Sequence, residues 1–142
     1  EKDLEFYPIT KEELVLIVPK DHPLAGADSV DLKDTIEYPY IAFSENSGLR
    51  PVISQLFAQI KCQPKFAYEG EEDSSVAGLV AAGFGIAIMP KIPLLQTMDV
   101  CTVPISSPEI RRYVYLVTKK NKYLAPAAKD FIRFIKKNYS VL

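Results

Sequence analysis

The chain has 142 residues, enough for one compact domain or two small lobes, and its 48% hydrophobic and 25% charged residues are the mixture of an ordinary globular protein. A formal charge of −1 supplies no basic field to hold nucleic acid, and no apolar run approaches the roughly 18 residues that cross a bilayer. The opening Glu1-Lys2-Asp3-Leu4 lacks the basic-then-apolar pattern of a signal peptide, and two lone cysteines without a CxxC fit a reducing cytoplasm as the expected location, away from membranes.

A candidate strand at residues 4–8 opens the chain, and its expected partners are earlier parallel strands. Leu14-Val15-Leu16-Ile17-Val18 is a continuous aliphatic run closed by Pro19, the pattern of a strand buried on both faces. His22-Pro23 and Gly26 mark a turn, and Asp31 is placed to cap a short helical turn ending at Thr35. Tyr40-Ile41-Ala42-Phe43 reads as the next strand. Leu49, Val52, Ile53, Leu56, Phe57 and Ile60 then fall on one stripe at period 3.6, which predicts a helix with Ser47 as its cap and Pro51 in its first turn.

A strand over 65–69 follows Pro64, and an acidic stretch leads to a second helix carrying Val76, Leu79 and Val80. Asp73 or Ser74 is suited to start that helix, and Gly83 to end it in the left-handed conformation. Residues 85–90 read as a buried strand, 92–95 as a helical turn, and 100–104 and 112–118 as further strands. An amphipathic helix from residue 125 to about 137 closes the pattern, with Phe131, Ile132 and Ile135 on its apolar side and lysines outward. Alternating strands and helices predict an α/β class with a largely parallel sheet. No repeat or low-complexity segment interrupts it.

Catalytic parts are not evident. There is no GxSxG, GxxxxGK[ST] or GxGxxG, and Gly83-Phe84-Gly85 precedes a strand, whereas phosphate loops follow one. His22, the only histidine, lies in a proline turn. Cys62 and Cys101 stand apart from any second ligand, so no metal and no cofactor is expected, and they read as buried thiols. The carboxylates Glu69, Glu71, Glu72 and Asp73 suit the positive end of a helix dipole better than general acid–base work.

Two strand-to-helix junctions suit binding, because ligands of open α/β sheets lie outside the carboxyl ends of strands. The first, residues 43–50, offers Ser44, Glu45, Asn46, Ser47 and Arg50. That set can hold a carboxylate or phosphate beside a helix start, or it can simply cap the helix with Arg50 in solvent. The second, residues 68–75, brings Glu69, Glu71 and Ser74. Its charge is opposite to that of Arg50, so it can pair with the guanidinium, receive an amino group, or bind nothing.

Four segments together resemble the effector-binding half of LysR-type transcriptional regulators. Residues 13–25, ending His22-Pro23-Leu24-Ala25, are similar to the crossing strand and "HPLA" turn. Residues 30–41 are similar to the stretch after it, and residues 79–90 to a "V-aaG-x-G-ia-x-P" pattern. Residues 112–131 resemble the return into the first lobe. The resemblance covers nearly the whole chain in the right order.

It implies a two-lobed α/β fold similar to type II periplasmic binding proteins, with the second lobe complete and the first partial. Residues 1–18 would be partial lobe I and the first crossing strand, 19–103 lobe II, and 104–142 the second crossing and the return to lobe I. It further implies a small effector, an organic anion, in the inter-lobe cleft, and self-association as dimer or tetramer in a parent protein. DNA would be bound only through a helix-turn-helix outside this chain. A solute-binding protein for transport is the alternative of similar fold. An enzyme on the same scaffold lacks a catalytic constellation.

Overall fold

The computed structural model describes residues 13–110 in full, and the backbone of two further strands, β1 (Leu4–Lys11) and β8 (Tyr113–Lys119). The chain divides into two compact units, Glu13–Ile110 and the pair of chain ends. The expected helix over 125–137 lies outside the described residues.

Within Glu13–Ile110 the sheet is built around β2 (Leu14–Pro19). It is flanked by β6 (Ala87–Pro90) and β7 (Val100–Ser107), and the short β3 (Val30–Asp31) adds beyond β7. β4 (Pro39–Phe43) and β5 (Lys65–Gly70) form a parallel pair, joined to the rest by a parallel bridge between Tyr40 and Ile86. The strand order is therefore β3-β7-β2-β6-β4-β5. Since β2 is antiparallel to β6 and β7, and the other pairings are parallel, one strand of the six runs against the rest. The largely parallel sheet is present, with β2 as its exception. An antiparallel strand needs no crossover helix to reach its partners, so it can enter between segments that arrive later in the chain.

Leu14 to Val18 are all buried, none more than 4% exposed, as a two-sided aliphatic run requires. Helix α1 (Leu49–Gln59) connects β4 to β5 and buries Ile53, Leu56 and Phe57 from its predicted stripe. Helix α2 (Asp73–Ala81) packs on β2, β4, β5 and β6 through Val76, Ala77 and Val80. Leu79, expected on that face, is only half-buried. Gly83 ends the α2 segment at φ 89°, the left-handed conformation that glycine adopts without a Cβ penalty. Two residues on, a Cβ at Gly85 would lie 2.7 Å from the Pro39 carbonyl oxygen, which explains why a glycine enters β6.

Several expectations are corrected. β1 pairs antiparallel with β8, a partner the local pattern did not suggest, from Leu4 opposite Lys119 to Lys11 opposite Tyr113. The second unit's strand thus meets a segment from the far end of the chain, a pairing that local pattern cannot specify. The helix starts also shift. α1 is capped by Gly48, while the Ser47 hydroxyl accepts the Leu49 N–H at 3.1 Å, and α2 begins after Glu72 with no side-chain cap. Asp31 does cap the short 3-10 turn Leu32–Thr35, accepting the Lys33 N–H at 3.0 Å.

One polar pair lies inside this core. Thr35 is fully buried and its hydroxyl donates to the Leu32 carbonyl at 2.7 Å. That uses its only proton, so in the 2.6 Å contact with Tyr40 the phenol donates and Thr35 accepts. Burial pushes the Tyr40 phenol well above its usual range. Thr35→Val keeps the shape and leaves the buried Tyr40 hydroxyl without its acceptor. It is expected to lower the unfolding free energy by about 2 kcal/mol in urea titrations, whereas Thr35→Ser should cost clearly less.

Candidate functional site

The carboxyl ends of β4 and β5 lie side by side. The Ser44 N–H donates to the Gly70 carbonyl at 2.9 Å, which joins the first polar loop to the second. Gly70 in turn lies against the first turn of α2. A Cβ there would meet Val76 Cγ2 at 2.9 Å and the Val76 nitrogen at 3.2 Å, so only glycine lets the strand end approach the helix so closely. The structure therefore brings Ser44, Glu69, Gly70 and the start of α2 into one cluster.

The first loop is a compact turn. Ser47 N–H donates to the Ser44 carbonyl at 3.0 Å, and Arg50 N–H to the Ser47 carbonyl at 3.2 Å. Its side chains divide into committed and open groups. Ser47 Oγ is occupied by the Leu49 N–H. The side chains of Ser44, Glu45, Asn46, Glu71 and Ser74 have no partner among the described residues, and all except half-buried Ser44 are exposed. They are the groups still able to accept or donate to a ligand.

Arg50 is only partly exposed, and one of its nitrogens is engaged by protein groups. Its Nη1 donates to the Phe43 carbonyl at 2.7 Å and lies 3.7 Å from Glu69 Oε2, while its guanidinium stands 5.3 Å from the centre of the Phe66 ring. These contacts differ in weight. A short hydrogen bond from a charged donor to a carbonyl on a residue only 2% exposed contributes about 1.5–3 kcal/mol. The Glu69 side chain is 55% exposed and its ion pair is long, so it adds little, and a stacked cation at a partly exposed ring adds about 0.5–1 kcal/mol. Arg50 thus clamps the end of β4 against β5 and holds the Ser44 turn in place.

Phe66 and Gly70 are the members of this cluster that sequence reading missed. Phe66 looks like an ordinary strand aromatic. A register shift at Ala67 puts Phe66 opposite Tyr40 and Tyr68 opposite Ile41. The two aromatics consequently part company, Phe66 meeting Tyr40 and Arg50, and Tyr68 meeting Phe84 at 5.1 Å between ring centroids. A glycine flanked by glutamates at a strand end was the available signal for Gly70.

A family model, the LysR substrate binding domain, matches residues 1–140. Two curated relatives come from Bacillus subtilis (strain 168). The uncharacterized HTH-type transcriptional regulator YybE is 32% identical over 140 residues, covering 99% of this chain and 48% of the relative. The transcriptional dual regulator GltC is 34% identical over 133 residues, covering 92% and 44%. The chain spans about half the length of these relatives. Among solved structures, the effector-binding domain of QuiR in complex with shikimate is 48% identical with a TM-score of 0.85, covering 98% of this chain and 68% of that one. The regulatory domain of CcmR from Synechocystis PCC6803, in complex with 2-PG, has a TM-score of 0.86 at 22% identity, covering 99% and 69%, a likeness of fold alone.

Arg50→Ala should lower the unfolding free energy by about 2 kcal/mol in chemical denaturation, because it leaves the buried Phe43 carbonyl without its donor. Glu69→Gln should change it by less than about 0.5 kcal/mol. Equal effects would remove the Phe43 bond as the main function of the guanidinium.

Proposed function

The chain belongs to the LysR substrate-binding domain family, and from that premise we propose that it senses a small organic carboxylate for a transcription regulator of which it is part. Its fold is the α/β, periplasmic-binding-protein-like fold of those effector-binding domains. The observation that carries the reading is the polar cluster at the carboxyl ends of β4 and β5, with open hydroxyl and amide groups held by a clamped loop. The 48% identity to a domain seen with shikimate supports a hydroxylated carboxylate as the first ligand to try.

In this reading residues 19–103 form the effector-binding lobe, with 1–18 and 104–142 as the crossings and the parts of the other lobe. Ser44 and Asn46 offer the primary contacts, and Ser74 adds a hydroxyl at the first turn of α2, where N–H groups and the helix dipole favour an anion. Ser47 and Arg50 act by position, fixing the turn. Glu45, Glu69 and Glu71 line its edge and disfavour ligands of high negative charge. The domain works by binding and not by catalysis: effector binding shifts its conformational populations, and a DNA-binding part of the parent reads the shift.

Self-association is part of the proposal. β5 pairs with β4 alone among the described residues, and its residues 65–69 are all exposed, including Phe66 and Tyr68. A strand edge of this kind is a template for another chain. Charge favours the same outcome. Residues 13–110 carry 13 acidic and 6 basic side chains, a net of −7, and the two chain ends carry 5 and 11, a net of +6. Opposite excesses on two parts of one chain attract a second copy.

The test of sensing is a thermal-shift and calorimetric titration with shikimate, benzoate and related carboxylates. A ligand at a hundredfold excess over its Kd should stabilise the chain by about 2.7 kcal/mol and be recovered chemically unchanged. Ser44→Ala should weaken that ligand about tenfold or more; stabilisation by none of the carboxylates refutes the reading. Sedimentation should show an oligomer at low salt whose dissociation constant rises with ionic strength. A salt-independent monomer would remove self-association from the proposal.

A further inference from the structure

At the opposite end of the parallel strands from the Ser44 loop lies a hollow of about 300 Å³. Pro19, Pro23 and Pro39 form its walls with Ile86, and His22 and Tyr38 supply its polar edge. Pro39 begins β4 and Phe43 ends it, so the hollow is separated from the candidate effector loops by the length of that strand, about 13 Å. Proline rings have fixed φ and no N–H, so these walls are rigid and apolar before any ligand arrives.

The polar edge has unused capacity. His22 Nδ1 accepts the Leu24 N–H at 3.1 Å, so the proton of the neutral ring is on Nε2. Burial pushes the His22 pKa down, against a smaller opposing effect of Asp21, and the ring is neutral at pH 7. The ring meets Tyr38 edge-on at 4.5 Å between centroids. Neither His22 Nε2–H nor the Tyr38 hydroxyl has a hydrogen-bond partner among the described residues, although both residues are half-buried. No lysine or arginine lines the hollow, and Lys20 beside it is paired with Asp99 at 3.5 Å.

We infer that this hollow is a second small-molecule site, one that takes an uncharged monocyclic arene bearing a hydroxyl group. The proline walls and the His22–Tyr38 edge receive a flat ring, and the ligand oxygen accepts from His22 Nε2–H and exchanges a hydrogen bond with Tyr38. A carboxylate is disfavoured, because the lining has no cation to replace its hydration and Asp21 is close. The site is thereby chemically distinct from the loop cluster proposed for the effector, and its occupancy does not depend on that assignment.

His22 is the only histidine in the chain, so its imidazole NMR signals identify themselves. Titrating the full chain with phenol at pH 7.5 should shift the His22 ring resonances along a saturable curve, with half-saturation on the order of a millimolar for so small a ligand. Benzoate should bind at least about tenfold more weakly. Tyr38→Phe keeps the ring contact and removes the hydroxyl, and should weaken phenol roughly two- to tenfold. Pro23→Trp, on the exposed rim, should abolish the response while the circular dichroism spectrum stays unchanged. A linear, unsaturated shift, benzoate equal to phenol, or an unaltered curve in Tyr38→Phe would overturn the proposal.

Discussion

The described part of this protein is organised by the double burial of β2. Five consecutive aliphatic side chains, Leu14 to Val18, are taken out of water on both faces of the sheet. At about 1.5–3 kcal/mol for each such side chain, their burial is worth on the order of 10 kcal/mol as an upper estimate, comparable with the whole stability of a domain. That gain requires a layer on each face and a hydrogen-bonded strand on each edge. The edges come from far along the chain, with Leu14 opposite Pro90 and Val15 opposite Pro104. Closing those long loops costs entropy, which the burial must offset before the unit can form.

The position of the candidate binding cluster follows from that arrangement. With β2 reversed and the rest of the sheet parallel, the carboxyl ends of β4, β5 and β6 share one edge of the unit. Ser44 follows β4, Gly70 ends β5, and α2 starts beside them. Arg50 ties the base of the first polar loop to the strand end. Its bond to the Phe43 carbonyl secures the residue immediately before Ser44, so the open hydroxyl is presented from a rigid base. Preorganisation of this sort lowers the ordering entropy that binding must overcome. The opposite edge is different in character, with prolines, a neutral imidazole and a phenol, and no strong charge. One sheet thus presents two chemically unlike ends.

Within the sheet, much could be read from local pattern. The two-sided run at Leu14–Val18, the stripe from Leu49 to Ile60, the Asp31 cap and the Gly83 stop all depend on residues close in sequence, and each stands where its pattern put it. The polar loops at residues 43–50 and 68–75 were also evident, because a strand-to-helix junction is a sequence feature. Helix starts moved by a residue because hydroxyl and carboxylate caps compete with neighbouring backbone geometry. Gly48 takes the cap position expected of Ser47, whose hydroxyl accepts the Leu49 N–H from one residue before it, and α2 starts after Glu72 without a side-chain cap.

What the order of residues determined by itself was the alternation of elements, the family to which the chain belongs, and the loops that carry its polar groups. These are local or ordered-motif properties, fixed by spacing along the chain. The tertiary structure decided which groups in those loops remain available. Arg50, open in sequence to either an anion or solvent, contacts Phe43, Glu69 and Phe66. The antiparallel setting of β2, the pairing of β1 with β8, and the split of Phe66 from Tyr68 by a one-residue register shift were likewise decided there. All of these depend on partners distant in sequence, and side-chain periodicity records which face a residue takes without recording what it meets.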